Sequence, residues 1–495
     1  MAAAMTALRA LPLTASQARG EARWFAPVIL ALMVVATRAI WLGDPAADYD
    51  EQLYSLIGLR WLDGALPYAD LWDRKPAGLF ALFAVAHAIG GPSPVAYQVM
   101  AMGFTLAGSL LVYALARPLA DRWGALLAGS AYPLILPLYG SHAGQSEVFF
   151  LPILLGALYL LTGDRRHLGF RRAAAAMLLG GLALQVKYTA LPVCAALGGL
   201  ALYRLHRQGA KPSTLLRNAT LFAAIGIAPT AMAAAIFFSL GAGEAFWWAN
   251  FGSFFLREGA GRWRGELPIA LLPVVVPVLL GLWAALRLAP PRDGALYASY
   301  AVFAAGLVGT VFLPGTLYLY YLAALVPASL LLALPLFASP RPLARGMVLL
   351  MFGFYALFYV GLDQTGKSAQ RRASVGHLTQ AIAPLVDRNG ECLWIFDGPS
   401  VLYTRTNSCI PTRFVYPDHL NNALETNALG VDQTKEVARI LSTRPPVIVT
   451  ASDPLTRQNA VARKLVANAL KRDYEPLANA ELGKRTVRAW RRRAR

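Results

Sequence analysis

Apolar runs of about 20 residues recur from Trp24 to roughly residue 362, and this pattern limits the chain more than any other feature. A backbone inside lipid has no water to bond, so each run must satisfy its own N–H and C=O groups. An α-helix does that segment by segment. Composition agrees: only 15% of the 495 residues are charged, against about 25% in a soluble chain. A polytopic α-helical membrane protein is expected. The last 130 or so residues are polar and mixed, so a small C-terminal α/β soluble domain is expected over 363–495. Within it, 391–396 and 446–450 read as strands, and 432–441 and 455–471 as helices.

The net charge of +19 suggests nucleic acid at first sight. Before residue 363 most of the Lys and Arg lie in loops between apolar runs, where they set membrane orientation instead. Runs fall at 24–43, 95–116, 124–140, 148–162, 173–190, 191–203, 218–240, 267–286, 295–313, 317–338 and 344–362. The stretch 77–91 is apolar but only about 15 residues long, which suits a helix lying in the interface. If it does not span, the Arg-rich loops 117–122, 163–172, 204–217, 287–292 and 339–345 all fall on one side. The positive-inside rule makes that side cytoplasmic. Eleven spans follow, with the N-terminus inside and the C-terminal domain outside. The first run exceeds the apolar core of a cleaved signal peptide. The basic end 484–495 reads as a tail, either solvated or touching anionic headgroups.

The longest polar break in the first third is 44–76, DPAADYDEQLYSLIGLRWLDGALPYADLWDRKP. It gathers Asp48, Asp50, Glu51, Asp63, Asp70 and Asp73 just after the first run. Leu53, Leu56, Ile57 and Trp61 fall near one helical face, and Gln52, Ser55, Arg60 and Asp63 on another, so an interfacial amphipathic helix ending at Gly64 is expected. Carboxylates held at a membrane surface suit proton abstraction; Asp at a helix start also suits capping. Glu147 opens a later run as either a second active-site acid or a dipole partner. Lys187, at the outer end of a span, calls for an anionic partner or snorkels. The loop 241–266 combines Trp247, Trp248, Phe254, Phe255 and Trp263 with Arg257, Arg262 and Arg264, as an interfacial belt does. No P-loop, no Gly-rich dinucleotide turn, no Ser/His/Asp spacing and no Cys/His zinc spacing occurs. No cofactor is expected, and the isolated carboxylates leave a divalent metal open.

The order Asp50-Glu51, then Gly64-Ala65-Leu66-Pro67-Tyr68-Ala69-Asp70, then Asp73-Arg74-Lys75-Pro76 and an apolar helix resembles the opening of GT-C fold, polyprenyl-phosphate-sugar-dependent glycosyltransferases. It is most similar to the bacterial protein-mannosyltransferase-like and aminoarabinose-transferase-like members of glycosyltransferase family 39. Glu147, the segment Lys187 to Pro192 and the run Tyr320-Tyr321 to Pro327 extend the resemblance. The segment 314–321 has no Arg, where some members carry a basic residue. The resemblance implies a GT-C-like transmembrane catalytic domain over 1–362, with its first outer loop at 44–94. It implies inverting transfer of a sugar from a polyprenyl phosphate to a hydroxyl of an envelope glycan, lipid or protein, at the outer face of a bacterial inner membrane. Asp50, Glu51 and Glu147 are then the candidate catalytic residues, with Asp50 the expected base. Lys75, Lys187, Tyr68, His142, Arg257 and Tyr320 are the candidate substrate-binding residues. A polyprenol-lipid transporter would predict internal repeats, which the sequence lacks. An O-antigen ligase or polymerase would carry its key loop late in the chain.

Topology gives the first test. Alkaline phosphatase fused after Gly43, Ser146 or Asp363 is expected to be active outside, and fusions within 163–172 inactive. Activity in that loop would mean that 77–91 spans.

Overall fold

The computed structural model describes residues 15–164, 167–257, 266–314, 317–361 and 363–494. Residues 1–14, Arg165, Arg166, Arg262, Trp263, Arg264, Gly315 and Thr316 lie outside the described residues.

The protein is a multi-pass membrane protein. Among the described residues, seven helices are long and apolar enough to cross a membrane: Trp24–Trp41, Pro94–Ala116, Tyr188–Arg207, Pro212–Ser239, Leu267–Arg287, Gly294–Phe312 and Pro342–Leu385. The other four runs expected to span are helical too, but shorter or interrupted. Proline explains two of the interruptions, because it removes a donor and crowds the preceding turn. The run near 124–140 is a helix Arg122–Ile135, with Pro133 inside, continued by a 3-10 turn Leu136–Tyr139. The run 317–338 divides into Leu319–Leu325, Val326–Leu332 and Leu334–Phe337, with Pro327 and Pro335 near the starts of the last two. The remaining two are Ser146–Thr162 and Phe170–Leu184.

The stretch 44–94 after the first run folds into two helices, Tyr49–Leu62 and Ala77–Gly90. Each has 14 residues, about 21 Å at 1.5 Å per residue, short of the roughly 30 Å apolar core of a bilayer. They pack closely at Gly58, where a Cβ would come within 2.8 Å of the Ala84 nitrogen. Gly64, at φ +96°, lets the chain turn just past the first of them. Leu53, Leu56 and Ile57 are buried as the pattern requires. Gln52, expected on a polar face, is buried too, because the C-terminal domain covers that face: Val401 N donates to Gln52 Oε1 at 3.2 Å. The loop helix is therefore a layer between membrane helices and domain, not a helix with one face in water.

The C-terminal domain holds a four-stranded sheet in the order β1-β2-β4-β3: β1 Trp394–Ile395, β2 Val447–Ala451, β3 Tyr474–Leu482 and β4 Arg485–Arg492. β1 and β2 are parallel, and the other pairings antiparallel. Both expected strands and both expected helices form, the helices at Gln433–Ser442 and Ala460–Asp473. The basic end is not a tail. Val487 and Ala489 alternate with Arg488 and Trp490, so the strand buries one face in the sheet, and the one cation buried on that face, Arg485, is paired with Asp397. A helix Gln364–Ile382 leads into the domain, and its Arg371 pairs at 2.7 Å with the buried carboxylate of Asp44. Trp72 N donates to Arg413 O at 2.9 Å and Arg60 Nη2 to Ser408 O at 2.6 Å, so the domain is bonded along this loop.

Cys392 and Cys409 form a disulfide, with Cα atoms 4.8 Å apart and a sequence separation of 17. Cross-linking a loop of this length removes chain entropy from the unfolded state, about 3 kcal/mol. The Cys392→Ala/Cys409→Ala variant is expected to lose about that much stability by thermal unfolding. Non-reducing peptide maps of fresh wild-type protein should contain the linked pair, and two free thiols would refute it.

Candidate active site

The site starts from a helix cap. Asp48 precedes the helix Tyr49–Leu62 and its Oδ1 accepts from the backbone N–H of Asp50 at 2.9 Å and of Glu51 at 3.3 Å. The cap fixes the first turn. At about 100° per residue, Asp50 and Glu51 then leave the helix in different directions. Asp50 keeps 16% of its side-chain surface open. Glu51 is fully buried; its Oε2 accepts from Gly144 N at 2.6 Å and its Oε1 from Tyr97 Oη at 3.4 Å. Glu51 therefore ties the loop helix to the 140–146 turn, and the structure does not bring it to the open side.

Around Asp50 the donors converge. Its Oδ1 accepts from Tyr416 Oη at 2.8 Å. Its Oδ2 accepts from Tyr54 Oη and from Gln145 Nε2, each at 3.2 Å. Lys75 Nζ lies 3.9 Å from Oδ2, over the ring of Tyr54. Burial alone would raise the Asp50 carboxyl, but Lys75 and the bonds from Tyr416, Gln145 and Tyr54 outweigh it and hold the group below its ordinary value. The neighbouring acids move the other way. Burial and the Asp50 charge push Asp48 up to about 7, and burial pushes Glu51 well above the ordinary range. Lys75 is pushed up to about 12, because Asp50 and Asp73 together overcome its burial. The arrangement thus keeps one carboxylate charged beside one ammonium.

Tyr68 does not enter the cluster. It braces Lys75 from behind: its Oη donates to the Lys75 carbonyl at 2.9 Å, and it sits at φ 72°, a conformation costly for a side chain of its size. His142 is also a brace. Its Nε2 donates to Ala47 O at 3.0 Å, its ring lies 4.5 Å from that of Trp41, and burial drives its pKa down to about 3, so it is neutral.

Glu147 and Lys187 pair with each other through Nζ and Oε1, and Ser146 Oγ donates to Glu147 Oε2 at 3.0 Å. Lys187 Nζ also lies 3.8 Å from the ring centroid of Tyr321 and 5.3 Å from that of Tyr320. Tyr318 stacks on Tyr320 with centroids 5.6 Å apart, and Arg257 Nη2 donates to Tyr318 Oη at 2.7 Å. Arg257 thus lies against the tyrosines of 318–321. Arg257 Nε is 2.8 Å from Glu425 Oε1, and Arg74 grips the same carboxylate with Nη1 on Oε1 at 2.9 Å and Nη2 on Oε2. Trp247, Phe254 and Phe255 are exposed, as a lipid-facing belt requires, while Trp248 approaches Gly430 of the C-terminal domain. Among the described residues, no group of three or more His, Cys, Asp or Glu could hold a metal ion.

Sequence reasoning missed Tyr54, Gln145, Arg74, Tyr416 and Glu425. Tyr54 was within reach of it, since residues four apart share a helix face. Tyr416 lies 366 residues from Asp50, and Glu425 351 residues from Arg74, so nothing local signals them.

With this geometry in hand, comparison with solved structures decides the fold. The apo crystal structure of ArnT from Cupriavidus metallidurans matches with a TM-score of 0.62 over 95% of this chain and 98% of that one, at 14% identity. The structure of ArnT bound to undecaprenyl phosphate matches with a TM-score of 0.61 over 92% and 97%, also at 14% identity. The fold is GT-C. A sequence model of the dolichyl-phosphate-mannose-protein mannosyltransferases matches residues 74–232, a stretch of the GT-C domain that holds Lys75, Glu147 and Lys187 but not Asp50. No curated protein matches by sequence.

The Glu147–Lys187 pair is only 1% and 6% exposed, so removing one partner leaves the other buried and uncompensated. Glu147→Gln should lower stability in detergent by roughly 3 kcal/mol. Glu147→Leu/Lys187→Leu should lose clearly less. Equal losses would show that the two side chains act independently.

Proposed function

We propose that the protein is an inverting glycosyltransferase that moves a sugar from a polyprenyl phosphate to an acceptor hydroxyl. The observation that carries the reading is Asp50: one open carboxylate held ionised beside Lys75, while its acidic neighbours are pushed toward the neutral form. A general base must be charged, reachable and within hydrogen-bond reach of the proton it takes. Asp50 meets the first two conditions directly. The acceptor hydroxyl loses its proton to Asp50 as its oxygen attacks the anomeric carbon. The bond from that carbon to the phosphate oxygen breaks, and the lipid phosphate leaves with the electron pair. Fixed cations lower the cost of the departing charge. Lys75 and Arg257 are suited to this, with Tyr320 and its neighbouring tyrosines between them and Lys187. Lys187 acts through its pairing with Glu147 rather than as a free cation.

ArnT binding undecaprenyl phosphate in the same fold supports a polyprenyl phosphate partner for this chain. On this reading 1–362 is the transmembrane catalytic domain and 363–495 a periplasmic domain. The N-terminus is cytoplasmic, in a bacterial plasma membrane. The Arg distribution supports that orientation.

Asp50→Asn keeps size and hydrogen bonding but removes basicity. Sugar transfer by purified protein in detergent should fall by at least about 100-fold, the low end for a general base, with polyprenyl phosphate binding kept. Near wild-type turnover would place the base elsewhere.

A further inference from the structure

Asp50 presents two unequal oxygens. A carboxylate oxygen offers about two lone-pair directions. Oδ2 has both occupied, by Tyr54 and Gln145, and Lys75 stands 3.9 Å beyond them. Oδ1 accepts from Tyr416 alone among the described residues. The carboxylate is nevertheless open on part of its surface. A hydroxyl that is to give up its proton must therefore reach Oδ1, alongside the Tyr416 phenol.

Tyr416 is well placed to define that approach. It comes from the C-terminal domain, not from the membrane helices. The next residue is Pro417, at the first position of a short helix, and the residue before a proline is confined to extended backbone. Tyr416 indeed has φ −79° and ψ 136°. Its ring centroid lies 5.4 Å from that of His419, which is itself buried against Trp72 of the outer loop. The phenol is thus set by the domain's backbone and its seat on the loop.

We infer that Asp50 Oδ1 is the atom that receives the acceptor proton, and that Tyr416 of the C-terminal domain is the residue that positions the acceptor hydroxyl on it. This rests on the assignment of Asp50 as base. Tyr416 is a positioning residue; it takes no net proton. Before transfer its O–H donates to Oδ1 and keeps the carboxylate ionised. After transfer the proton sits on Oδ1, and the phenol can turn and accept from it, because a tyrosine hydroxyl serves both ways. The proton then passes to water as product leaves. The inference gives the domain a part in choosing acceptors, since a substrate must fit beside its tyrosine.

Other groups also face Asp50: Asp48 and Tyr54 from its own segment, Lys75 and Asp73 from the rest of the loop, Lys187, and Tyr320 and Tyr321, while Asp418 faces the Tyr416 phenol. Tyr416→Phe leaves all of these in place. Losing a bond to the charged form raises the carboxyl, so the base is lost at higher pH. The acid limb of kcat/KM for the acceptor should move up by at least about half a pH unit, with roughly a tenfold loss at neutral pH. Polyprenyl phosphate binding should be unchanged. Difluorotyrosine at position 416 keeps the shape and strengthens the donor, so it should move the acid limb down. That second variant decides the matter should Tyr416→Phe not fold. A wild-type acid limb in either folded variant overturns the inference, provided Asp50→Asn is inactive. An active Asp50→Asn protein instead overturns the assignment of the base, which this inference needs.

Discussion

The structure depends on how charge is held where the loop 44–94 meets the membrane helices. An isolated ion in low dielectric costs several kcal/mol even after relaxation, so each must find a partner. Asp44 takes Arg371, Glu147 takes Lys187, Glu425 takes Arg74 and Arg257, and Asp397 takes Arg485. Asp50 differs. Its cation stands at 3.9 Å, outside direct hydrogen-bond distance, and its surface is partly open. Asp44, Glu147, Glu425 and Asp397 are closed by their pairs, and Asp50 is left open. That contrast, more than acidity in the loop, is what the proposed role of Asp50 rests on.

Three of these pairs join the C-terminal part of the chain to the outer loop or its neighbours. The pairing of Arg485 with Asp397 is internal to the domain but reaches the loop through Tyr49, whose Oη accepts from Arg485 Nη1 at 3.0 Å. The domain is therefore part of the site's framework. It covers the loop helix, fixes Gln52 and delivers Tyr416 and Glu425. Glu425 also balances two arginines that would otherwise repel each other across the site.

Much of this was legible in the sequence. The apolar runs gave a polytopic helical protein, because lipid leaves the backbone few alternatives. Asp50 and Lys75 stood out because the polar break that holds them resembles the opening of GT-C glycosyltransferases, and that resemblance favoured Asp50 over Glu51. The physical reason for the difference was not legible from acidity; it follows from a cap at Asp48 that sets how the helix is rotated. Glu147 and Lys187 were both visible as costly charges, but their pairing, 40 residues apart, was not. The final hairpin was hidden because five of the eight residues of β4 are not apolar, and one of its inward positions is Arg485. Tyr416 and Glu425 gave no signal, since their roles exist only once the domain is seated on the loop.

A base that activates the acceptor for direct attack, with no covalent sugar on the enzyme, has a stereochemical consequence. The configuration at the anomeric carbon must change once. The most direct measurement is therefore the anomeric configuration of the transferred sugar, read by NMR from one-bond C–H coupling, starting from a polyprenyl phosphate donor of defined anomer. Inversion is the predicted result. A product with the donor's configuration would require two displacements and a nucleophile on the protein, and would contradict the role given to Asp50.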